Sequence, residues 1–201
     1  MFDKLKLGMH PPKYGDIDLF AKAKVLFGVR SAPSSILHPN IVPVVHMYGN
    51  DLYADCTAVS TYNGARAIRK LVTDTNASDL SVSEANVLTF YSECTGFKPS
   101  DPSTDKGADL AMVMRRLMRD GAPTDYERMY GTVGVFNPYN LEEVFNGLST
   151  FGTLTIGIGL AVADQDMSQV WDTDTPGNQA LGSWGYHAVN LWEYYGKSDN
   201  D

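Results

Sequence analysis

One cysteine and one histidine have the clearest chemical potential in this sequence of 201 residues. Cys56 directly follows the polar turn 50–55, with Asp55 in the N-cap position of a predicted helix. Unpaired N–H groups at the start of a helix favour the thiolate, and the thiolate is the nucleophilic form of cysteine. Any covalent chemistry is therefore expected to begin at Cys56.

His187 and Asn50 are the residues predicted to assist this thiol. His187 lies on the late predicted strand 184–196, and its imidazole is the best candidate for a general base. Asn50, six residues before Cys56, offers a side-chain amide to the oxyanion that forms when a thiolate attacks a carbonyl. The backbone N–H of Cys56 is a second natural donor. A cysteine early in the chain and a distant histidine are the arrangement of a thiol hydrolase.

Helix signals dominate the first part of the chain and strand signals the second. Apolar residues at helical spacing predict a helix from Cys56 to about residue 73, and Ser81-Val82-Ser83-Glu84 has the spacing of a capping box that opens a second helix. This order predicts an α+β fold. The other predicted elements are helices over about 107–119 and after Asn140, strands over 153–162 and 184–196, short strands within 126–136, a helical turn over 167–171 and a polar loop over 172–182.

Composition argues against several classes of function. The formal net charge is −8 and no basic cluster extends beyond Arg115-Arg116, so nucleic-acid binding is not expected. No apolar run reaches the roughly 18 residues of a membrane helix, and no signal peptide is recognisable. Two cysteines, Cys56 and Cys94, are too few for a disulfide framework. The expected location is the reducing cytoplasm or a particle assembled there.

Spaced aspartates in the loop after the second helix raise the question of a metal site. Asp101 and Asp105 lack the alternate-residue pattern and the terminal glutamate of a calcium-binding EF-hand loop. They are predicted to shape turns or to cap the helix that follows them. No metal or cofactor is therefore expected.

Three stretches, taken in order, resemble papain-like cysteine peptidases. The spacing from Asn50 to Cys56 is similar to that family's glutamine-to-cysteine spacing. Leu80-Ser81-Val82-Ser83-Glu84 resembles the Leu-Ser-x-Gln stretch that opens the family's next helix. Gly185-Tyr186-His187-Ala188-Val189, followed by Tyr195-Gly196, resembles its Gly-x-His-Ala-Val…Gly-Tyr-Gly strand.

A narrower resemblance is to the papain-like proteins encoded by bacteriophages and prophages. It rests on Asn50-Asp51…Asp55-Cys56, on Thr95-Gly96-Phe97 and on Asp101-Pro102-Ser103-Thr104-Asp105-x-Gly107. Together the similarities cover about residues 40–196.

The resemblance implies a two-lobed papain-like α+β fold. An extended N-terminal arm over 1–40 would precede a single domain over 41–201. Within this domain, a helical lobe over about 50–121 would carry the cysteine and an antiparallel β lobe over about 122–196 the histidine. A peptide or amide substrate would bind in the cleft between the lobes.

The resemblance also implies the roles of three residues: Cys56 as nucleophile, His187 as base and later acid, and Asn50 as oxyanion donor. In the family an Asn or Asp, commonly about sixteen residues after the histidine, orients the ring. This sequence ends fourteen residues after His187, so Asp199 or Asp201 would serve only if the tail folds back. Asn190 is excluded because an odd offset along a strand points to the opposite face.

This difference leaves two functions open. One is a phage-type papain-like cysteine peptidase or amidase that uses Cys56 and His187. The other is a papain-fold protein without turnover that is a structural component of a phage virion. In that second case the proline-punctuated arm would bind neighbouring virion subunits.

Overall fold

Four α-helices and eight short strands form the described part of the computed structural model, which comprises residues 7–11, 21–22, 32–37, 45–73, 80–165 and 182–196. The helices are α1 (Cys56–Thr73), α2 (Glu84–Thr95), α3 (Leu110–Asp120) and α4 (Leu141–Phe151). The strands are β1 (Met9–His10), β2 (Ala21–Lys22), β3 (Ala108–Asp109), β4 (Ala122–Pro123), β5 (Arg128–Met129), β6 (Gly134–Val135), β7 (Leu154–Leu160) and β8 (Gly185–Leu191).

The main apolar core lies between the first three helices. Tyr62 of α1 is fully buried, and its ring meets the edge of Phe90 of α2 at 5.9 Å between centroids. Its hydroxyl donates to the carbonyl of Pro123 at 2.6 Å, so the polar end of this ring is satisfied. Other buried members of this core are Ala58, Val59, Val87, Tyr91, Val113 and Leu117. The core fixes the apolar face of α1 and thereby the direction in which its first turn points.

Helix ends confirm some of the capping predictions and correct others. The prediction of α1 over Cys56 to about 73 is confirmed. The predicted capping box from Ser81 to Glu84 is wrong, because Ser83 is the N-cap of α2 and exchanges hydrogen bonds with Asn86. The predicted start of α3 at residue 107 is also wrong. The Asp109 carboxylate accepts from the backbone of residues 111 and 112, which places the helix start at 110.

Strands β7 and β8 form the longest pairing in the described residues, seven residues on each strand in antiparallel register. One face of this ribbon lies on α1, where the Asn190 side chain approaches Gly64. The other face lies on α4, where Leu154 and Leu191 pack with Val144. Both strands were predicted, with ends that extended beyond the observed ones.

Parts of the N-terminal region lie along the domain. β1 pairs in parallel with β3, and β2 in parallel with β6. Ile36 forms an antiparallel bridge with Tyr194. The predicted helical turn over 167–171 falls outside the described residues, as does nearly all of the predicted loop over 172–182.

Two further findings concern the described residues alone. Among the described helices, none combines the length and the apolar character that a membrane crossing requires. Within the described ranges, no group of three His, Cys, Asp or Glu side chains is arranged to hold a metal ion.

Candidate active site

A left-handed turn leads into the cysteine helix. Tyr48 and Gly49 have positive φ angles of 50° and 89°, and the N–H of Asn50 donates to the carbonyl of Met47 at 3.0 Å. A side chain at Gly49 would be strained by this backbone conformation, and its Cβ would lie 3.1 Å from the Tyr53 ring. A left-handed conformation at a non-glycine residue such as Tyr48 is costly, and the surrounding core must hold it in place. The turn directs Asn50 inward, where the side chain is buried.

The Asn50 amide is held by its own turn. Its Nδ2 donates to the Tyr53 carbonyl at 3.3 Å and to Asp55 Oδ1 at 3.2 Å. Both N–H groups therefore have acceptors within the protein, and both contacts are long. The predicted role of Asn50 as oxyanion donor stays a prediction, and it requires that one of these contacts be exchanged for the oxyanion.

Asp55 is a fully buried carboxyl group beside the cysteine. Its backbone carbonyl accepts from the N–H groups of Ala58 and Val59, which fits the predicted position just before the helix. The side chain does not cap α1 as predicted, because Oδ1 accepts from Asn50 and Oδ2 is buried without a hydrogen-bond partner. Burial raises the pKa of Asp55 to about 8, against the opposing effect of the Asn50 hydrogen bond. At neutral pH this carboxyl is therefore mainly uncharged.

Asp105 ties the loop after α2 to the residue before Asp55. Its carboxylate accepts from the N–H of Ala54 at 3.1 and 3.2 Å and from the Tyr91 hydroxyl at 2.7 Å. The Tyr91 hydroxyl in turn accepts from the N–H of Gly107 at 2.9 Å. The network fixes the first residues of the site to the second helix.

The sequence does not predict this role of Asp105. It predicts only that Asp105 shapes a turn or caps the helix that follows. The available signal was its place in the Asp101–Gly107 stretch that carries the narrower resemblance. Asp101 behaves as predicted, since it caps a short 3₁₀ turn by accepting from the N–H of Ser103 at 3.1 Å.

Cys56 is the first residue of α1, as predicted, and its side chain is only 1% exposed. Burial raises the pKa of its thiol, whereas backbone groups of Ala188 and Gly8 lower it, and the Asp55 carboxylate raises it further once it is ionised. The expectation that the helix terminus favours the thiolate is therefore wrong for this arrangement. Removal of the sulfur from water outweighs the helix terminus.

His187 lies on β8, directly before the residue that touches the thiol. Its side chain is buried, Nδ1 has no hydrogen-bond partner, and burial lowers the pKa of the imidazole. Strand alternation places Ala188 on the face toward Cys56 and His187 on the opposite face. Within the described residues no hydrogen bond joins the imidazole to the thiol. The structure brings the strand that carries His187 to Cys56, but not the ring itself.

Asn190, Asp199 and Asp201 follow His187 in the sequence and are the residues to compare with the orienting Asn or Asp of papain-like peptidases. Asn190 donates to the Thr155 hydroxyl at 2.9 Å on the α1 face of the ribbon, which confirms that it does not serve His187. Asp199 and Asp201 lie outside the described residues.

A short N-terminal segment covers the cysteine. Met9 packs against Cys56 and Ala188, and the Gly8 carbonyl accepts from the N–H of Ala108 at 2.6 Å. This segment, Leu7–His10, therefore runs between the start of α1 and the β7–β8 ribbon. It is part of the reason why the thiol is buried.

Comparison with known proteins supports the fold. Among solved structures, the chain is similar to xylellain, a cysteine protease from Xylella fastidiosa, with a TM-score of 0.61 and 14% sequence identity. The alignment covers 96% of this chain and 81% of that one. No family model matches the sequence, and no curated protein matches it. The likeness to this bacterial cysteine protease supports a papain-like α+β fold, in agreement with the class expected from the sequence.

Proposed function

We propose that this protein is a cysteine peptidase or amidase in which Cys56 is the nucleophile and His187 the general base. The observation that carries the proposal is the position of Cys56 as the first residue of a long buried helix, directly against the strand that holds His187. The fold likeness to a cysteine protease agrees with this choice of nucleophile.

The proposed reaction has two steps. The thiol proton passes to His187 while the sulfur bonds to the carbonyl carbon, and the carbonyl electrons move to oxygen. The N–H of Cys56 and the Asn50 amide stabilise that oxyanion. The carbon–nitrogen bond then breaks as His187 returns the proton to the leaving amine. Water cleaves the thioester, releases the acid and restores the thiol.

Two conditions follow from the geometry. Because His187 lies on the face of β8 opposite Cys56, its ring comes within hydrogen-bond reach of the sulfur only if the β8 backbone at residue 187 also turns. The low pKa that burial gives the imidazole keeps it neutral near pH 7, which is the form a base requires. The lack of a fixed contact at Nδ1 leaves the ring free of a hydrogen bond that would oppose this turn.

A pair of cysteine variants tests the proposal. Cys56→Ala is expected to reduce hydrolysis of labelled casein and of short peptide amides to background. Cys94→Ala is the matched control, since burial raises the pKa of Cys94 to about 12 and no proposed step uses it. Equal rates for the wild type and Cys56→Ala would contradict the proposal.

The phage-type assignment and the alternative function are also proposals. The missing hydrogen bond between His187 and Cys56 in the described residues agrees with the alternative of a papain-fold protein without turnover. Its role as a virion component, with the arm over 1–40 binding neighbouring subunits, is carried by the sequence resemblance alone. In that case Cys56→Ala would leave particle assembly unchanged. The division into this arm and a domain over 41–201 belongs to the same proposal, and limited proteolysis would locate its boundary.

A further inference from the structure

Asp55 has an environment that is unusual for a carboxyl group. Its side chain is fully buried, and its Oδ1 accepts a hydrogen bond from the Asn50 amide at 3.2 Å. The second oxygen, Oδ2, is buried without a hydrogen-bond partner, and within the described residues no lysine, arginine or histidine forms an ion pair with Asp55. A buried carboxylate without a cation is strongly unfavourable. This geometry therefore favours the protonated form, with Oδ1 as the acceptor and the proton on Oδ2.

The other titratable groups around Asp55 reinforce this state. Burial is the main cause of the raised pKa of Asp55, and the carboxylates of Asp105, on the loop after α2, and Glu84, at the first position of α2, raise it further. Cys56 follows on α1, and Tyr91 of α2 holds Asp105. Burial raises the pKa of that thiol and of that hydroxyl, so both are uncharged near neutral pH. The charges that face Asp55 from the described elements are therefore negative.

The protonation state of Asp55 decides how strongly it binds the Asn50 amide. A neutral carboxyl oxygen at 3.2 Å is a modest acceptor, so it orients the amide and still allows an N–H group to turn to another acceptor. An ionised carboxylate is about twice as strong an acceptor and shortens the contact. It also repels a second negative charge that approaches the same amide. An oxyanion bound to Asn50 would be such a charge.

The backbone around Asp55 is fixed on both sides. The Asp55 carbonyl accepts from N–H groups in the first turn of α1, and the N–H of Ala54 is held by the Asp105 carboxylate. Ionisation of Asp55 is therefore not relieved by a movement of its own backbone. Its effect falls on the Asn50 side chain, which is the hydrogen-bond partner of the carboxyl group.

We propose that Asp55 is a positioning residue for the proposed oxyanion donor: its protonated carboxyl orients the Asn50 amide, and its ionised carboxylate withdraws that amide from the oxyanion. As a statement about catalysis this rests on the proposed function; as a statement about the Asn50 amide it does not. The same ionisation adds to the burial that raises the pKa of Cys56, so both effects reduce activity at alkaline pH. The pKa of Asp55 is about 8, and one pH unit above it the neutral fraction is about one tenth.

The pH profile of casein hydrolysis tests the effect on rate. From neutral pH to one unit above the pKa of Asp55, the wild-type rate is expected to fall about tenfold. Asp55→Asn keeps the acceptor oxygen but cannot ionise, so it is expected to be close to the wild type at neutral pH and to lose this fall. Asp55→Ala removes the acceptor and should reduce the rate about tenfold or more throughout. Asp51→Asn, at an exposed carboxylate of the same turn, is the control and should keep the fall. A fall that survives in Asp55→Asn would overturn the effect on rate.

The side-chain amide of Asn50 tests the link to Asp55 without any hydrolysis. In protein labelled with nitrogen-15, its N–H signals are assigned through their loss in Asn50→Ala. In the wild type they are expected to shift with pH, with a midpoint near the pKa of Asp55, and in Asp55→Asn this shift should be absent. Signals that do not move in the wild type, or that move equally in Asp55→Asn, would overturn the proposal.

The two measurements separate this proposal from the proposed function. A wild type that does not hydrolyse casein, but in which the Asn50 signals titrate with Asp55, would contradict the proposed function and leave the link between the two residues standing. The same spectra show whether each variant is folded. Should Asp55→Asn fail to fold, the titration of the wild type alone decides, because signals without a midpoint near the pKa of Asp55 would overturn the link.

Discussion

The two sides of the candidate site differ in how firmly their residues are held. On the nucleophile side, hydrogen bonds join Asn50 to Asp55 and Ala54 to Asp105, and the core between the first helices supports them. On the base side, His187 has a buried Nδ1 without a partner. Its strand is fixed by seven residue pairs, yet its ring is not.

This difference means that the proposed nucleophile and the proposed base would be positioned by different kinds of contact. A residue at the start of a helix is positioned by the helix backbone, so few side-chain contacts are needed to place a nucleophile there. The backbone of a strand fixes where a histidine lies but not how its ring is rotated. A hydrogen bond at the second ring nitrogen must therefore orient a histidine that acts as a base. The residues around Cys56 thus have hydrogen bonds that fix them, whereas the His187 ring has none at Nδ1.

The largest expected effect is that of removing the proposed base. His187→Ala should lower kcat/KM about 100- to 10,000-fold, the usual contribution of general acid–base catalysis. In the wild type, kcat/KM should rise with pH through the pKa of His187. Since burial lowers this pKa from 6.5, the midpoint of the rise should lie below pH 6.5. His38→Ala, in a segment of irregular sequence, is the control. A His187→Ala enzyme within twofold of the wild type would mean that another group takes the proton.

The next largest effect is expected at the proposed oxyanion donor. Asn50→Ala should reduce kcat about 100- to 1,000-fold with little change in KM, because the amide acts on charge that exists only in the transition state. Asn86→Ala removes the side-chain half of the capping box at the start of α2 and costs stability without touching the site, which separates the two causes. If both variants lose kcat equally, Asn50 has a structural role only.

A smaller effect, on the free energy of unfolding, is expected at the hydrogen bonds that join Asp105 to Ala54. Asp105→Ala leaves the Ala54 N–H and the Tyr91 hydroxyl without their acceptor and should lower the free energy of unfolding by about 1–3 kcal/mol. Asp101→Ala removes an exposed turn contact and should cost less than about 1 kcal/mol. Urea unfolding measures both. Similar losses at the two positions would show that the nucleophile side is no more firmly held than an exposed turn.

The remaining expected change is in the pH dependence of stability. The pKa of Asp55 is about 8 in the folded protein and 3.8 as an ordinary value, so between these limits the folded state holds more protons than the unfolded state. The contribution of Asp55 to stability is therefore full below about pH 4 and is lost as the pH rises to about 8.

Asp55→Asn removes this titration, so the unfolding free energy of the variant should depend less on pH over that range. Chemical denaturation at several pH values measures the slope. Asp51→Asn changes an exposed carboxylate nearby and should leave the slope as in the wild type. A wild-type slope that survives in Asp55→Asn would show that Asp55 ionises normally.

Local signals were sufficient where the relevant contacts are close in sequence. The apolar spacing after residue 56 located α1, and Asn140 located the start of α4, because a cap and its first turn are neighbours along the chain. The second helix shows the limit of this approach. Two serines lie two positions apart before it, and only the folded chain decides that Ser83 is the cap.

Contacts between distant segments could not be predicted in the same way. The hydrogen bond between Ala54 and Asp105 joins residues that are 51 positions apart, and Cys56 is covered by a segment near the start of the chain. The sequence also suggested a reactive thiolate at the helix start. Burial by that cover reverses the direction of the pKa shift, and burial is a property of the whole fold.

The sequence by itself determined that Cys56 begins a helix, that His187 lies on a late strand, and that the fold is α+β. Each of these depends on residue periodicity and capping, which act over a few residues. Only the tertiary structure decided which face of the strand carries His187 relative to Cys56, whether the thiol is exposed, and what lies on it. Those properties depend on how the strands, the helices and the N-terminal segment pack together. Such packing is determined by contacts between residues far apart in the sequence, which a local sequence pattern does not show.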